Sequence, residues 1–405
     1  MSMTETPRSE RVHIALFGNR NSGKSSLVNA ITGQSLAIVS PEKGTTTDPV
    51  YKSIEILPLG PCVLIDTAGL DDTGALGALR VEKSMEVLQK CDIAIIVVDA
   101  TRGVTAEEEL LAARLRERSC PVIAAVNKID AVVDSEAAVG RVALALGCPT
   151  VAVSAAQAVG ITALKEALAK LLPEATTREY LLGEMVAEGD VAVLVCPIDS
   201  AAPKGRMILP QQQVIRELIE RGCGALVCVP EALKGMLESL KTPPKLVITD
   251  SQVFREVAAI VPAELPLTGF SIIFAAYKGD LAEFTAAAQR VMALENGDRI
   301  LIAEGCSHHR QKDDIGTVKI PRWLGEMTGK ELKIEHYSGA DFPADLDEYK
   351  LIIHCGACML TKRAMSARID AVRSARVPII NYGVFIALRM GILDRVLEPF
   401  NSRGN

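Results

Sequence analysis

The sequence predicts an α/β protein of three successive segments, each built on a mainly parallel sheet. Three observations predict it. Short β-branched runs alternate with helical stretches almost from end to end, the pattern of strand–helix–strand crossovers. A glycine-rich loop, Gly18-Asn-Arg-Asn-Ser-Gly23-Lys24-Ser25, follows the first run and opens the first helical stretch. The chain has 405 residues, too many for one ordinary core, so the alternation must be shared among domains.

In the first segment, expected over residues 1–173, strands are predicted at His13–Phe17, Ser53–Leu57, Cys62–Asp66, Asp92–Val98, Pro121–Val126 and Thr150–Val153. Helices are predicted at about Lys24–Thr32, Leu79–Gln89, Ala106–Arg118 and Ile161–Leu172, each polar on one face. Pro173 and the polar stretch Glu174–Glu179 read as a linker. A second segment, residues 180–265, has strands at Val191–Cys196, Ala225–Val229 and Lys245–Thr249, with helices near Gln211–Arg221 and Glu231–Leu240. A third, residues 266–405, is predicted to carry strands at Phe270–Ala275, Arg299–Ala303, Tyr349–Ile353 and Val377–Asn381.

Composition excludes several classes. Hydrophobic residues at 49% and charged residues at 23% describe a folded chain rather than a disordered one. A net charge of −6 argues against coating of nucleic acid or anionic membrane. The N-terminus MSMTETPRSE lacks the apolar stretch of a secretory signal, and runs such as Ile93 to Val98 are strand-length. A cytoplasmic protein is expected, in which the ten cysteines stay reduced. Seven of them (Cys62, Cys91, Cys120, Cys148, Cys196, Cys223, Cys228) lie in or beside apolar runs and read as small buried hydrophobes.

The glycine-rich loop stands where a phosphate loop must stand, between a strand and a helix. Its glycines let backbone N–H groups close on phosphates, and the helix N-terminus adds partial positive charge. Gly18, Asn19, Asn21, Ser22, Gly23, Lys24, Ser25 and Ser26 are the candidate phosphate-binding residues. Lys24 supplies a point charge to the β- and γ-phosphates and the Ser25 hydroxyl a ligand to Mg²⁺. Asp66-Thr-Ala-Gly69 ends another strand; Asp66 reaches the Mg²⁺ shell and the Gly69 N–H senses the γ-phosphate. Asn127-Lys128-Ile-Asp130 ends a third. The Asp130 carboxylate accepts from guanine N1–H and the exocyclic amine, a pair of donors that adenine lacks. Ser154-Ala155-Ala156 offers backbone donors to guanine O6. Four such pieces in this order predict a GTP site with Mg²⁺.

These motifs resemble the translation-factor-like GTPases, and within them the branch of TrmE, Era and EngA type. Gly44-Thr-Thr-Thr-Asp48 resembles that branch's switch I sequence, with Thr47 where the branch has Arg. The resemblance implies Thr46 as the second Mg²⁺ hydroxyl, with Thr45 the fallback. Leu70 follows Asp66-Thr-Ala-Gly69 where Ras-like enzymes carry the water-orienting Gln, so another device must assist hydrolysis. In the resembled branch K⁺ takes the place of an arginine finger, held partly by an Asn at the position of Asn21. Lys24, Thr46 and Asn21 are therefore the expected catalytic residues.

Three cysteines stand apart. The pattern is Cys306-Ser-His308, then 45 residues, then His354-Cys355-Gly-Ala-Cys358. Both halves follow predicted strands, and loops at the carboxyl ends of parallel strands converge on one crevice. Three thiolates suit an iron–sulfur cluster; with His308 or His354 they suit zinc; Cys355 and Cys358 alone suit a redox pair. Spacing does not choose between cluster and zinc.

The cysteine pattern behind an N-terminal GTPase resembles HydF, the maturation GTPase of FeFe-hydrogenase. Ile198-Asp-Ser-Ala-Ala-Pro-Lys-Gly-Arg206 with Leu209-Pro-Gln211, and Phe270–Asp280 ending Tyr277-Lys-Gly-Asp280, resemble that family too. The resemblance covers nearly the whole chain. It implies a 4Fe–4S cluster on Cys306, Cys355 and Cys358, with His308 and His354 as further candidates for the fourth ligand or for hydrogen bonds to the cluster. It also implies a di-iron precursor as carried ligand, apo FeFe-hydrogenase and radical-SAM maturases as partners, and a homodimer or higher oligomer formed through the middle segment. His309 lies outside the pattern and reads as a solvated loop residue. Lys204 and Arg206 could dock an anion, though a polar loop at the dimer interface is the plainer reading. An RNA-directed GTPase with a zinc-binding C-terminal domain is the competing expectation. From Arg299 to Asn405 there are 16 Lys plus Arg against 13 Asp plus Glu, too weak an excess for a nucleic-acid module.

Overall fold

The computed structural model describes residues 10–33, 49–56, 59–70, 86–88, 90–171, 180–198, 207–305, 314–339, 342–343 and 345–401. Thr45, Thr46, Thr47, residues 71–77, Lys204, Arg206, Cys306, His308 and His309 lie outside them, as do the expected linker and most of the helix expected at 79–89. The chain divides into two compact units, residues 4–178 and 179–405.

The first unit has a six-stranded sheet: β1 (Val12–Phe17), β2 (Val50–Ile56), β3 (Gly60–Asp66), β4 (Ile93–Asp99), β5 (Val122–Asn127) and β6 (Thr150–Ala152). Their order is β2-β3-β1-β4-β5-β6. All neighbours are parallel except β2 and β3, which form an antiparallel edge pair. Every residue of β4 is buried, as a strand covered on both faces requires. Alternate residues of β1 enter opposite cores: Ile14 and Leu16 one, Ala15 and Phe17 the other. The strand order reverses between β3, β1 and β4, so the crevice opens at the carboxyl end of β1.

Helix ends in this unit follow local chemistry. Lys24–Thr32 starts at Gly23, φ 95°, and stops at Gly33, φ 67°. Ala106–Glu117 starts with a capping box: Glu108 Oε2 accepts the Thr105 N–H at 3.1 Å. A helix at Ser135–Leu146 was not among those expected. Its signals are Asp134, whose Oδ1 accepts the Ala137 N–H at 2.9 Å, and Gly147 at φ 60°.

The second unit holds two four-stranded sheets, parallel throughout. The first contains β7 (Val191–Val195), β8 (Gly224–Cys228), β9 (Leu246–Thr249) and β10 (Leu267–Gly269), ordered β10-β9-β7-β8. The other contains β11 (Arg299–Glu304), β12 (Lys333–Ser338), β13 (Leu351–His354) and β14 (Ile379–Asn381), ordered β12-β11-β13-β14. The middle sheet thus runs to Gly269, past residue 265.

The expected strand Phe270–Ala275 is instead part of a helix, Phe270–Lys278. Phe270, Ile272, Ile273, Phe274 and Ala275 are all buried, so the run shows no polar face from which a 3.6-residue period could be read. This helix is shared. Phe270, Ile273 and Phe274 pack with the middle sheet, whereas Ile272 and Ala275 join the core of the terminal one.

The helix Leu393–Asn401 returns across the same seam. The Thr268 hydroxyl donates to the Val396 carbonyl at 2.9 Å. The Arg395 guanidinium donates to the carbonyls of Ala258, Val261 and Pro262 at 2.8, 2.7 and 2.7 Å. Among the seven cysteines expected as core, Cys62, Cys91, Cys120, Cys223 and Cys228 are buried, and Cys148 and Cys196 are half-buried. Among the described residues no helix is long and apolar enough to cross a membrane.

Candidate functional site

In the first unit the loop after β1 is built around two glycines that no other residue could replace. A Cβ at Gly18 would lie 2.4 Å from the Val97 carbonyl oxygen, and one at Gly23 would lie 2.1 Å from Asn127 Nδ2. Gly18, Asn21 and Gly23 have φ of 146°, 61° and 95°, so the turn is left-handed at its crown. Asn21 is exposed there.

Lys24 is buried and its Nζ donates to the carbonyls of Gly18 and Asn19, both at 2.9 Å, curling under the loop. Ser25 donates its hydroxyl to Asp66 Oδ2 at 2.6 Å. Burial raises the Asp66 carboxyl above the usual carboxylate range, against the opposing pull of Ser25, Lys24 and Lys52. The buried Asn19 Oδ1, Ser22 Oγ and Asp66 Oδ1 have no hydrogen-bond partner. Orphaned polar atoms are rare in interiors, and three around one loop fit a site shaped for nucleotide and a Mg²⁺ ion. Asn19 Nδ2 donates to Thr105 Oγ1 at 2.9 Å, which ties the loop to the capping box. Nothing in the sequence near Thr105 marked it for this.

The residues expected to read the base lie beside it. Asn127 is buried; its Nδ2 donates to the Ser22 carbonyl and its Oδ1 accepts the Ala155 N–H, both at 2.9 Å. One side chain therefore joins phosphate loop, β5 and the Ser154–Ala156 turn. Lys128, at φ 63°, ion-pairs with Asp99 at 2.5 Å. Burial pulls the Asp99 carboxyl up, but Lys128 and Thr101 outweigh it and hold it below its ordinary range. Asp130 is exposed on the short turn Ile129–Ala131, open to a base edge. Thr46 lies outside the described residues.

In the second unit, β11 and β13 are parallel neighbours with Ala303 opposite His354. That register sets the residue before Cys306 against the Cys-x-x-Cys loop. The Gly305 N–H donates to Cys355 Sγ at 3.1 Å, and the Cys355 N–H donates to the Ala303 carbonyl at 2.9 Å. A Cβ at Gly305 would lie 2.7 Å from Leu360 Cγ, so a larger residue there would have to displace Leu360. Ala357 turns the loop at φ 52°.

Burial pushes the Cys355 thiol up to about 11, although the Gly305 and Ala357 N–H groups favour its thiolate. Burial raises Cys358 as well, with the Lys278 charge opposing. Both are thiols until a metal claims them. Among the described residues no three His, Cys, Asp or Glu side chains form a metal site. Cys355 and Cys358 are thiols that receive backbone N–H groups, the kind of donor that would suit a metal cluster, with Cys306 outside the described residues.

His354 is fully buried. Its Nε2 meets Arg368 at 2.8 Å and its Nδ1 the Cys355 carbonyl at 2.8 Å. A guanidinium only donates, so Nε2 accepts and Nδ1–H donates. Burial, then the Arg368 charge, lower its pKa to about 3, so the ring is neutral and both nitrogens are committed. Arg368 also donates to the Gly339 carbonyl at 2.7 Å and lies over the Phe342 ring at 5.0 Å. Lys278 reaches the loop from the other side, donating to the carbonyls of Ala357, Cys358 and Leu360. Arg368 escaped sequence reasoning, and Lys278 was seen only as part of Tyr277-Lys-Gly-Asp280, without a role.

Three family models match the chain: a 50S ribosome-binding GTPase over residues 13–128, the hydrogen maturase F dimerization domain over 181–279, and the hydrogen maturase F tetramerization domain over 282–399. Among curated proteins it resembles GTPase Der of Chloroflexus aggregans, 36% identical over 132 residues, covering 32% of this chain and 29% of the relative. It also resembles the tRNA modification GTPase MnmE of Laribacter hongkongensis, 40% identical over 122 residues, covering 30% and 27%. The chain thus spans under a third of the length of these relatives. Among solved structures, Era of Aquifex aeolicus aligns at 20% identity over 54% of this chain and 92% of its own, with a TM-score of 0.37.

Proposed function

Because this chain belongs to the hydrogen maturase F family, with a GTPase domain ahead of the two maturase domains, we propose that it is a GTP-hydrolysing scaffold for hydrogenase maturation. It carries a 4Fe–4S cluster on Cys306, Cys355 and Cys358. It receives a di-iron precursor from radical-SAM maturases and delivers it to apo FeFe-hydrogenase. The observation that best supports this reading is the Gly305 N–H bond to Cys355 Sγ at 3.1 Å, which draws the two halves of the cysteine pattern together. A bound cluster supplies an iron with an open position when only three cysteines hold it. His354 braces the loop rather than the iron, since its ring nitrogens are engaged. Dimerisation and tetramerisation domains support a homodimer or higher oligomer, here placed in the cytoplasm.

In the GTPase unit, Lys24 exchanges the carbonyls of Gly18 and Asn19 for phosphate oxygens. Ser25, Asp66 and Thr46 would hold Mg²⁺, which would supply charge neutralisation at the phosphates. Asn21, exposed at the crown of the loop, is the side chain available to K⁺, which does the work that Leu70 cannot. Asp130 reads the guanine. Turnover biases the affinity of the chain for its partners through residues 44–48 and 71–77, as unequal binding to two states allows.

The test is anaerobic reconstitution with iron and sulfide, followed by EPR and metal analysis, on the chain and on Cys306→Ser, Cys355→Ser and Cys358→Ser. The expected result is a cluster that is lost or altered in each variant. Stoichiometric zinc, or an unchanged cluster in all three variants, overturns the reading.

A further inference from the structure

Lys278 is 4% exposed, at the end of the helix shared between the cores of the middle and terminal sheets. Its Nζ donates to the carbonyls of Ala357, Cys358 and Leu360 at 3.2, 3.0 and 2.8 Å. Three acceptors require three N–H bonds, which an ammonium has and a neutral amine lacks. The charge also lies 5.4 Å from the centre of the Phe274 ring. A buried cation is costly to desolvate, and both its charge and its geometry bear on the groups it holds.

Both are in demand at this loop. Cys355 to Leu360 turns through a left-handed Ala357, and three of its carbonyls accept from Lys278. Without the ammonium the carbonyls of Ala357, Cys358 and Leu360 would lose a shared donor at once. Cys358 and Tyr277, the neighbour of Lys278 in sequence, both pack against the middle sheet's core. A cluster on three thiolates carries net negative charge, and the Lys278 ammonium, 3.0 Å from the Cys358 carbonyl oxygen, also acts on the Cys358 thiol.

We propose that Lys278 is a positioning residue for the cluster: its ammonium clamps the Cys355–Leu360 loop through three carbonyls and supplies a fixed positive charge beside the thiolate of Cys358. The proposal rests on the cluster reading above. It makes the middle domain, through the last residue of its helix, part of the metal site.

The experiment compares the full chain with Lys278→Met and Lys278→Arg. In the metal-free proteins, hydrogen exchange is followed at the amides of residues 355–360. In the reconstituted proteins, iron loss to a chelator and the cluster's reduction potential are measured. Lys278→Met should speed loop exchange and iron loss about tenfold, as loss of outer-shell support does elsewhere. Its potential should move to more negative values, because reduction adds charge that a nearby cation stabilises. Lys278→Arg should keep the potential and lose iron faster, since its planar fork cannot meet the same three carbonyls. Wild-type exchange, iron retention and potential in Lys278→Met overturn the clamp. Should that variant not fold, wild-type exchange and retention in Lys278→Arg overturn it instead. A wild-type chain that takes up no cluster sinks the cluster reading, while the exchange comparison still decides the clamp.

Discussion

Asn127 and Ser22, 105 residues apart in sequence, are joined by a buried hydrogen bond of 2.9 Å from amide nitrogen to backbone carbonyl. The same side chain accepts the Ala155 N–H, so the Ser154–Ala156 turn and the Gly18–Ser25 loop share one support. The close approach is possible because residue 23 has no Cβ. Asn127→Ala leaves a buried carbonyl and a half-buried N–H unmatched, at about 1–3 kcal/mol. Guanine-nucleotide affinity should fall about tenfold or more, and the first unit should melt earlier without nucleotide. Fluorescent-nucleotide titration and calorimetry measure both; unchanged affinity would show that the support is idle.

Asp130 is exposed and does not hold the fold together. Asp130→Asn turns one acceptor into a donor, which opposes the guanine amine and suits a carbonyl at the same carbon of the base. GTP binding should weaken about 100-fold, and binding of the xanthine nucleotide should strengthen. Thermal stability should not change. Competition between the two nucleotides reads the exchange of preference directly, and equal loss of both contradicts it.

Glu217 gives the second unit a pH dependence. Its carboxylate accepts the Leu181 and Leu182 N–H groups at 2.6 and 2.9 Å, yet burial wins and raises its pKa, with those bonds and Arg221 opposing. A raised carboxyl holds its proton more tightly folded than unfolded. Its contribution is full below the unfolded value of about 4.3 and is lost as pH rises through the folded value. Glu217→Gln should therefore gain on wild type as pH rises from about 4 toward neutrality. Denaturation midpoints of the two proteins across that range test it; a difference that moves the other way refutes the sign.

Much of this was legible in the sequence because the chemistry forces the residue. The close approaches at Gly18 and Gly23 leave no room for a side chain, and the run Asn127–Asp130 leaves the end of β5 as expected. The meeting of Gly305 with Cys355 followed from two parallel strands alone. What stayed hidden lacks a local signature. The helix Phe270–Lys278 is apolar on nearly every side, so its period is silent. Strand β12 is a largely exposed edge strand of polar residues, with no hydrophobic run to announce it. Lys278 and Arg368 carried no role in the sequence because only tertiary structure buries them.

The bonds from Arg395 to residues 258–262 and from Thr268 to Val396 have a bearing on how the chain is made. The family's dimerization domain ends at residue 279, but the wall that closes over β10 arrives more than a hundred residues later. On the ribosome the middle sheet can therefore form early but not finish. Its last side is sealed only when residues 393–401 emerge, and by then the loop gripped by Lys278 already exists. Assembly order thus places completion of the oligomer-forming layer after the cysteine loop has been made.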